Sequence, residues 1–431
     1  MSTKFDTLKN ELAAGGSVRA NEELAKPDRQ TQLLGGAAWL GTFVLLGFIS
    51  KWMLFFALGT LVSILLHEVG HYYTARKSGM IVTQFFIGFG PRVWSFHRND
   101  IEYGLRVLPL GAFVKIIGMN NLDDIGDQSE SRTYRAQSYP KRMWVITAGS
   151  AMHMIIAIVL ITAVYATAGR YQESGRVEIT NVTATEWRDV LTVMGFDVDT
   201  PAAKAGVLDG DVVVAANGEA ISSGDRLREV LKATTPGTSL DLTVLRDGQT
   251  VDLTATLIQN PSITDSVAGY LGVGYNSLDR VGLPIGSAAG RGAQDLVTGV
   301  GQAIKGIAGI INPVNVFGHL VGTNDDPSTR PTTLVGATRI SDDVGEFDGF
   351  AGLFSLLAAL NLSVGVFNLF PLLPLDGGHA AIATYERIRS RKGRRYTADV
   401  AKLMPVVAVT VTVLAFMFLT GLYLDTVKPI R

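Results

Sequence analysis

The sequence predicts a polytopic α-helical membrane protein of four to five spans, with a membrane-associated β-hairpin element and an inserted extracytoplasmic α+β domain. Hydrophobic residues make up 47% of the 431 residues and charged residues only 18%, below the roughly 25% that is usual in soluble domains. The apolar residues also gather in long runs without charge, and about 20 such residues can cross a bilayer as a helix. Two segments between these runs have the short alternating pattern of β-strands.

The apolar runs divide the chain into spans and connecting segments. The segment 30–50 contains several glycines and could be a helix packed beside the bundle. Its length and lack of charge favour a span. Residues 1–29 mix charges with Gly and Ser and are expected to be a polar cytoplasmic tail, without a signal peptide. The expected spans are 30–50, 52–76 (which includes two histidines), 143–168, 349–375 and 403–424.

Lysines and arginines near the span ends predict the orientation in the cell membrane. The segment 387–402 carries seven Lys and Arg residues and is expected to be cytoplasmic. With five spans the segment 169–348 then lies outside, and the basic C-terminal residues 428–431 are a small exception to the rule. The net charge of −1 argues against nucleic acid as a partner. The absence of cysteine excludes disulfides and a thiol nucleophile.

Three connecting segments have recognisable patterns. Residues 81–117 alternate apolar and polar side chains with Gly and Pro between them, which predicts a hairpin placed between two spans. Such a hairpin can touch the membrane only where protein or water satisfies its edges. Residues 176–259 contain short β-rich runs around one helical stretch. Residues 282–348 are rich in glycine, with an amphipathic helix expected from Gly290 to Ile311.

The β-rich segment resembles a known domain. Its run from Pro201 to Asp211 (PAAKAGVLDGD) is similar to the signature of PDZ domains of the bacterial protease-associated type. An unrelated small β-rich domain is the alternative. PDZ domains bind an extended peptide by adding it to a sheet edge. The resemblance therefore implies that residues 176–259 recognise or exclude protein chains.

The motif His67-Glu68-Val69-Gly70-His71 carries the clearest chemistry. Histidines at i and i+4 lie on one face of a helix, and two neutral imidazoles suit Zn²⁺. Glu68 could take a proton from a water molecule that the metal has made more acidic. Ionisable residues within a span usually mark a functional site. Two interfacial histidines bound only to neighbouring carbonyls are the alternative.

A third metal ligand must come from elsewhere in the chain. The remaining histidines are His97, His153, His319 and His379, but Asp376 is the strongest candidate. It follows a span that two prolines and two glycines must interrupt. Broken backbone at membrane depth is tolerated where it lines a watery cavity, and a carboxylate there requires a cation. Asp376 could alternatively cap the next helix.

Together these motifs resemble the site-2 protease family of intramembrane zinc metalloproteases, most closely its actinobacterial members with a single PDZ domain. The resemblance rests on the HEVGH motif and on Asn368-x-x-Pro371 followed by Leu375-Asp376-Gly377-Gly378. It implies zinc bound by His67, His71 and Asp376, with Glu68 as general base. It further implies that Asn368 contacts the substrate backbone and that the 81–117 hairpin holds an unwound substrate as an added strand.

The sequence departs from the family pattern at a few positions. Gly149-Ser150 and His153 stand where the second span of the family often has Gly-Pro and Asn. Gly336-Ala337 replaces another Gly-Pro, and the span 30–50 precedes the usual start of the family. None of these positions belongs to the expected metal set. For His153 both a hydrogen-bonded packing role and a place lining the active site remain open.

The family implies an endopeptidase that cuts single-span membrane proteins such as anti-sigma factors, after another protease has shed their outer domains. The outward-facing PDZ domain would then act as a size filter or docking site. A zinc-dependent membrane hydrolase of another substrate class and a catalytically silent membrane scaffold are the alternatives. A silent scaffold would be expected to have lost Glu68, which is present.

Overall fold

The computed structural model describes residues 29–119, 130–182, 200–259, 268–324, 326–390 and 396–428. The expected tail up to residue 28 and the basic residues 391–395 lie outside this part of the chain. Two compact units are present. The helical unit comprises Met1–Ala166 and Pro284–Arg431, and the sheet unit comprises Thr167–Leu283.

The helices and strands are numbered in chain order. The α-helices are α1 Arg29–Ile49, α2 Lys51–Lys77, α3 Tyr139–Thr167, α4 Pro201–Ala205, α5 Gly224–Ala233, α6 Ile285–Ile311, α7 Pro313–Val321, α8 Leu334–Asn368, α9 Asp376–Arg389 and α10 Met404–Val427. The strands are β1 Val82–Arg98, β2 Ile101–Ile116, β3 Arg170–Val182, β4 Val212–Ala216, β5 Glu219–Ala220, β6 Ser239–Arg246, β7 Gln249–Thr256, β8 Ile258–Gln259, β9 Gly269–Tyr270 and β10 Val273–Val281.

In the described part of the chain, five helices (α1, α2, α3, α8 and α10) are long and apolar enough to cross a membrane, which agrees with the four to five expected spans. The expected span 349–375 falls on α8, in which two helices meet at a kink at Gly349. The helix before the kink begins at Leu334, and the helix after it ends at Asn368, before the expected end at residue 375. Gly349 has φ 58° and ψ −144°, a backbone conformation that is essentially confined to glycine. Two acidic residues before the kink have partners at the start of α2: Asp342 accepts a hydrogen bond from the N-cap Ser50, and Glu346 accepts one from Trp52.

Helices α2 and α8 run parallel and contact each other along much of their length. The contacts advance in the same direction on both helices, from the start of α2 to the level of its histidines. The pairs are Ser50 with Asp342, Trp52 with Glu346 and Phe350, Gly59 with Leu357, and Ser63 with Asn361.

Helix α3 lies antiparallel to α2. Its first half contacts the histidine end of α2, where Val145 meets His71. Leu160, near its other end, packs against the buried cluster of Trp52, Phe56, Leu353 and Leu357. Helix α3 runs opposite to α2, whereas α8 runs in the same direction as α2. An even number of membrane crossings must therefore separate α3 from α8. The helices α6 and α7 meet at a 61° bend, and this packing predicts that they do not add a sixth crossing.

The strands β1 and β2 each fold back within the 81–117 segment. Residues 84–87 pair with 112–115 on one side and with 102–105 on the other, and 92–98 pair with 101–106. Within the described part of the chain, residues 112–116 pair with β1 alone and form one edge of this sheet, called here the 112–116 edge.

The sheet unit is built on the strand order β10-β3-β4-β6-β7, with β5 paired to β4. Its core includes Val177, Leu227 and Leu240, each buried completely. The turn between β6 and β7 has positive φ at both Asp247 and Gly248, as a two-residue type I′ hairpin requires. The unit extends beyond the expected 176–259 because β3 begins at Arg170 and pairs along its length with β10.

Candidate metal centre and active site

His67 and His71 lie one turn apart on α2 and point the same way. Both are buried, with 7% and 5% of their surface exposed, and their Nε2 atoms are 3.1 Å apart. The Asp376 Oδ2 atom lies 3.4 Å from Nε2 of His67 and 3.2 Å from Nε2 of His71. The structure thus brings together the three side chains that the sequence indicated as metal ligands.

The hydrogen bonds around these side chains show what the cluster requires. His71 Nδ1 donates to the Val145 carbonyl at 2.8 Å, so in the neutral ring Nε2 carries a lone pair. Asp376 Oδ2 is buried and has no hydrogen-bond partner among the described residues. Buried lone pairs that converge in this way are costly unless a cation binds them. Two imidazole nitrogens and one carboxylate oxygen are a donor set typical of catalytic zinc, which keeps a further position open.

A non-helical turn between α8 and α9 places Asp376 at this cluster. Helix α8 ends at Asn368, and the intervening turn contains Pro371 and Pro374. A Cβ on Gly377 would lie 2.2 Å from the Phe370 carbonyl oxygen, so only glycine permits this tight turn. The N-cap of α9 is Leu375 rather than Asp376. The alternative that Asp376 caps this helix is therefore wrong.

Gly149 on α3 makes room for the two imidazoles. A Cβ at this position would lie 2.4 Å from both His67 Cε1 and His71 Nε2. The neighbouring Val145 carbonyl can orient His71 only because α3 approaches α2 this closely. The sequence alone gives Gly149 no role, because its importance depends on a contact between two helices.

Glu68 is held against the β-element. Its Oε2 accepts a hydrogen bond from the backbone N–H of Val114 at 3.0 Å. This N–H belongs to the 112–116 edge and is directed away from β1. The expected general base therefore lies beside an edge to which an extended chain could be added.

Asn368 is half-buried and is the last residue of α8. It precedes the turn that leads to Asp376, which follows eight residues later in the sequence. Its expected contact with a substrate backbone stays a prediction.

His153 lies beside the metal donors and is also hydrogen-bonded, so both alternatives left open by the sequence describe it. Its ring centroid is 4.9 Å from that of His67, and its Nδ1 is 2.8 Å from Oδ1 of Asn361. Asn361 in turn donates to Ser63 Oγ at 3.0 Å. Sequence reasoning missed Asn361 and Ser63, because neither stands in a motif and only helix packing brings them to this level.

Comparisons with known proteins agree with this geometry. The model of peptidase family M50 matches residues 55–412. This chain belongs to peptidase family M50. It is 34% identical to zinc metalloprotease Rip1 of Mycobacterium tuberculosis over 87% of this chain and 97% of the relative. It is 30% identical to zinc metalloprotease Rip1 of Mycolicibacterium smegmatis over the same shares, and 30% identical to a putative zinc metalloprotease of Brucella suis over 76% of this chain and 84% of the relative.

Among solved structures, an HtrA-type protease with a tripeptide matches 25% of this chain and 38% of its own. The identity is 27% and the TM-score is 0.14, which is too low for an argument about fold. The family assignment rests on the M50 match and the full-length relatives. It identifies a multi-pass membrane zinc metalloprotease of the site-2 type.

Proposed function

We propose that this M50 protein hydrolyses peptide bonds within the transmembrane segments of single-span membrane proteins. The observation that carries the proposal is the position of Glu68, whose carboxylate lies between the histidine pair of α2 and the 112–116 edge. A substrate helix hides its carbonyls in its own hydrogen bonds and must unwind before it is cut. Addition of the unwound chain to a sheet edge would replace those bonds.

The side chains have separate tasks in this proposal. His67, His71 and Asp376 would hold a zinc ion, which when bound would make a water molecule acidic enough to serve as a nucleophile near neutral pH. Glu68 accepts the proton of that water and later passes it to the leaving amine. Asn368 binds the substrate backbone at the end of α8.

The sheet unit and the basic segments supply the setting. We infer that the sheet unit is a PDZ domain that faces outward from the plasma membrane and selects substrates by size or by docking. Its signature lies at Pro201–Asp211 and includes the short helix α4. Substrates such as anti-sigma factors would then arrive after another protease has removed their outer domain. The basic residues of 387–402 favour this orientation.

The proposal is tested by separating the base from the ligands. Glu68→Gln should keep zinc bound and lower cleavage of a single-span substrate in proteoliposomes by at least about 10²-fold, the scale of general base catalysis. Asp376→Ala should lose zinc as well as activity. Zinc is measured by atomic absorption and cleavage by gel shift of a tagged substrate.

Glu229→Gln is the matched control, because Glu229 is exposed on α5 and, among the described residues, is paired only with the exposed Arg226. It should leave both zinc content and cleavage unchanged. Normal cleavage by Glu68→Gln would remove the proposed base. Full zinc content in Asp376→Ala would place the third ligand elsewhere.

A further inference from the structure

A buried chain of hydrogen bonds crosses three helices next to the metal donors. Asn361 on α8 is 1% exposed, and its Nδ2 donates to the Leu357 carbonyl at 2.8 Å and to Ser63 Oγ at 3.0 Å. A carbonyl can only accept, so this contact fixes which end of the amide is the nitrogen. The Oδ1 atom of Asn361 must then face His153 as an acceptor.

This orientation fixes the tautomer of His153. Its Nδ1 lies 2.8 Å from Asn361 Oδ1 and has to be the donor. The neutral ring therefore has a lone pair at Nε2. No described residue is hydrogen-bonded to that Nε2, although His153 is only 3% exposed. The helices can pack this closely because Gly365 of α8 faces the Cβ of His153.

His67 has a buried Nδ1 atom without an acceptor among the described residues. With Nε2 directed at the metal donors, its Nδ1 must carry the hydrogen. That Nδ1 is buried and has no partner among the described residues, whereas Nδ1 of His71 donates to the Val145 carbonyl. A metal-binding histidine almost always donates its second N–H to an acceptor, which orients the ring and makes it a better ligand.

We propose that His153 is the outer partner of the zinc ligand His67. Its Nε2 accepts the Nδ1 hydrogen of His67, either after a small rotation of the rings, whose centroids are 4.9 Å apart, or through one bridging water. His153 is thus a positioning residue, held in the required tautomer by Asn361. The inference rests on the proposed role of His67 as a zinc ligand.

Two substitutions of His153 separate the roles of its nitrogens. Glutamine places an amide oxygen near the position of Nε2 and can accept from His67. Asparagine places its amide near Nδ1, so it can donate to Asn361 but cannot reach His67. His153→Asn should weaken zinc binding by about 10- to 100-fold, the usual effect of losing an outer partner. His153→Gln should stay within about threefold of the parent on the same scale.

Zinc affinity is measured by competition with a chromophoric chelator on the full-length protein in detergent, and the zinc release rate gives a second readout. Asn361→Leu keeps His153 but no longer fixes its tautomer, and it too should weaken zinc binding. If the His153 variants fail to fold, the zinc affinity of Asn361→Leu still tests the inference.

Three results would overturn the inference. His153→Asn could bind zinc as tightly as the parent, which with reduced cleavage would move His153 to a role on the substrate. The two His153 variants could lose zinc equally, which would indicate packing alone. Asn361→Leu could leave the affinity unchanged. The zinc content of Asp376→Ala and cleavage by Glu68→Gln test the proposed function independently of all three results.

Discussion

Gly149 sets how closely α3 can approach the paired histidines. Gly149→Ala would place a methyl group 2.4 Å from His67 Cε1 and His71 Nε2. We expect the imidazoles to be displaced and zinc affinity to fall by at least about tenfold, the lower end of the effect of a disturbed ligand. The chelator competition assay measures this.

The matched control is Gly301→Ala, another glycine within a long helix, where a Cβ would meet nothing within 4 Å. It should bind zinc like the parent. Parental affinity in Gly149→Ala would show that the helices can separate without cost.

Asp211 gives the sheet unit a dependence on pH. It is 1% exposed and accepts two hydrogen bonds from Arg246, at 2.8 and 2.7 Å, and these bonds lower its pKa below the ordinary 3.8. A group whose pKa is lowered on folding stabilises the fold above its ordinary pKa, and this contribution is lost as the pH falls through the folded value.

Asp211→Asn should therefore lower the hydrogen-exchange protection of β4 and β6 at neutral pH by about tenfold or more, the scale of hydrogen bonds to a charged group. The difference from the parent should narrow once the pH is below 3.8. Asp225→Asn, at an exposed position on α5, is the control. Equal protection in all three proteins at neutral pH would show that the ion pair contributes nothing.

The site residues differ in how far the sequence could indicate them. His67 and His71 follow from their spacing on a helix, and Asp376 from a carboxylate placed where the helix must break. Gly149 and Asn361 act across helix interfaces, and no local pattern distinguishes them from other small or polar residues in a span. The sequence therefore predicts the donor atoms of the site better than the contacts that orient them.

The 112–116 edge is the element that we expect to receive the substrate. Val114→Pro removes the N–H that now donates to Glu68 Oε2 and that an added strand would use. Proline is tolerated on edge strands, so the β-element should persist. Cleavage of a membrane substrate should fall by about tenfold or more, the effect expected from losing a directed hydrogen bond of this kind, while zinc content stays unchanged.

Val114→Ala keeps the N–H and serves as the matched control, with cleavage close to that of the parent. Cleavage by Val114→Pro at the rate of Val114→Ala would exclude this edge as the substrate site. Loss of zinc in the proline variant would instead indicate that the edge supports the metal ligands.

The start of α8 is an element boundary that the charge pattern of the sequence does not predict. The run without charge predicts a span that begins at Gly349, whereas the first helix of α8 begins at Leu334, before the kink. Trp52 Nε1 donates to Glu346 Oε1 at 2.7 Å, and the hydroxyl of Ser50 donates to Asp342. A partner on another helix cannot be seen in the local sequence, so composition alone did not predict the helix before the kink.

At the scale of the molecule, the parallel packing of α2 and α8 determines how the chain crosses the membrane. The metal donors require the end of α8 to lie at the same level as His67 and His71. Since α3 lies between them in sequence and runs the opposite way, α6 and α7 cannot make a complete crossing. We therefore predict that residues 130–138 and 396–403 lie on one side of the membrane and that, as in the proposed orientation, the sheet unit is exposed on the other side.

The chain contains no cysteine, so single cysteines can report this arrangement directly. The three positions are Ser131, Asp225 and Asp399, all exposed. On intact cells a membrane-impermeant maleimide should label Asp225→Cys, whereas Ser131→Cys and Asp399→Cys should react only after the cells are opened. Zinc content and cleavage confirm that each variant is folded.

The pattern of labelling distinguishes the possible arrangements. If α6 and α7 together crossed the membrane, Asp399→Cys would react from outside like Asp225→Cys. Labelling of Ser131→Cys and Asp399→Cys alone would keep five crossings but reverse the orientation inferred from the basic loops. Because the metal site needs the two loops on one side whichever way the protein faces, opposite labelling of these two positions would contradict the parallel packing of α2 and α8 itself.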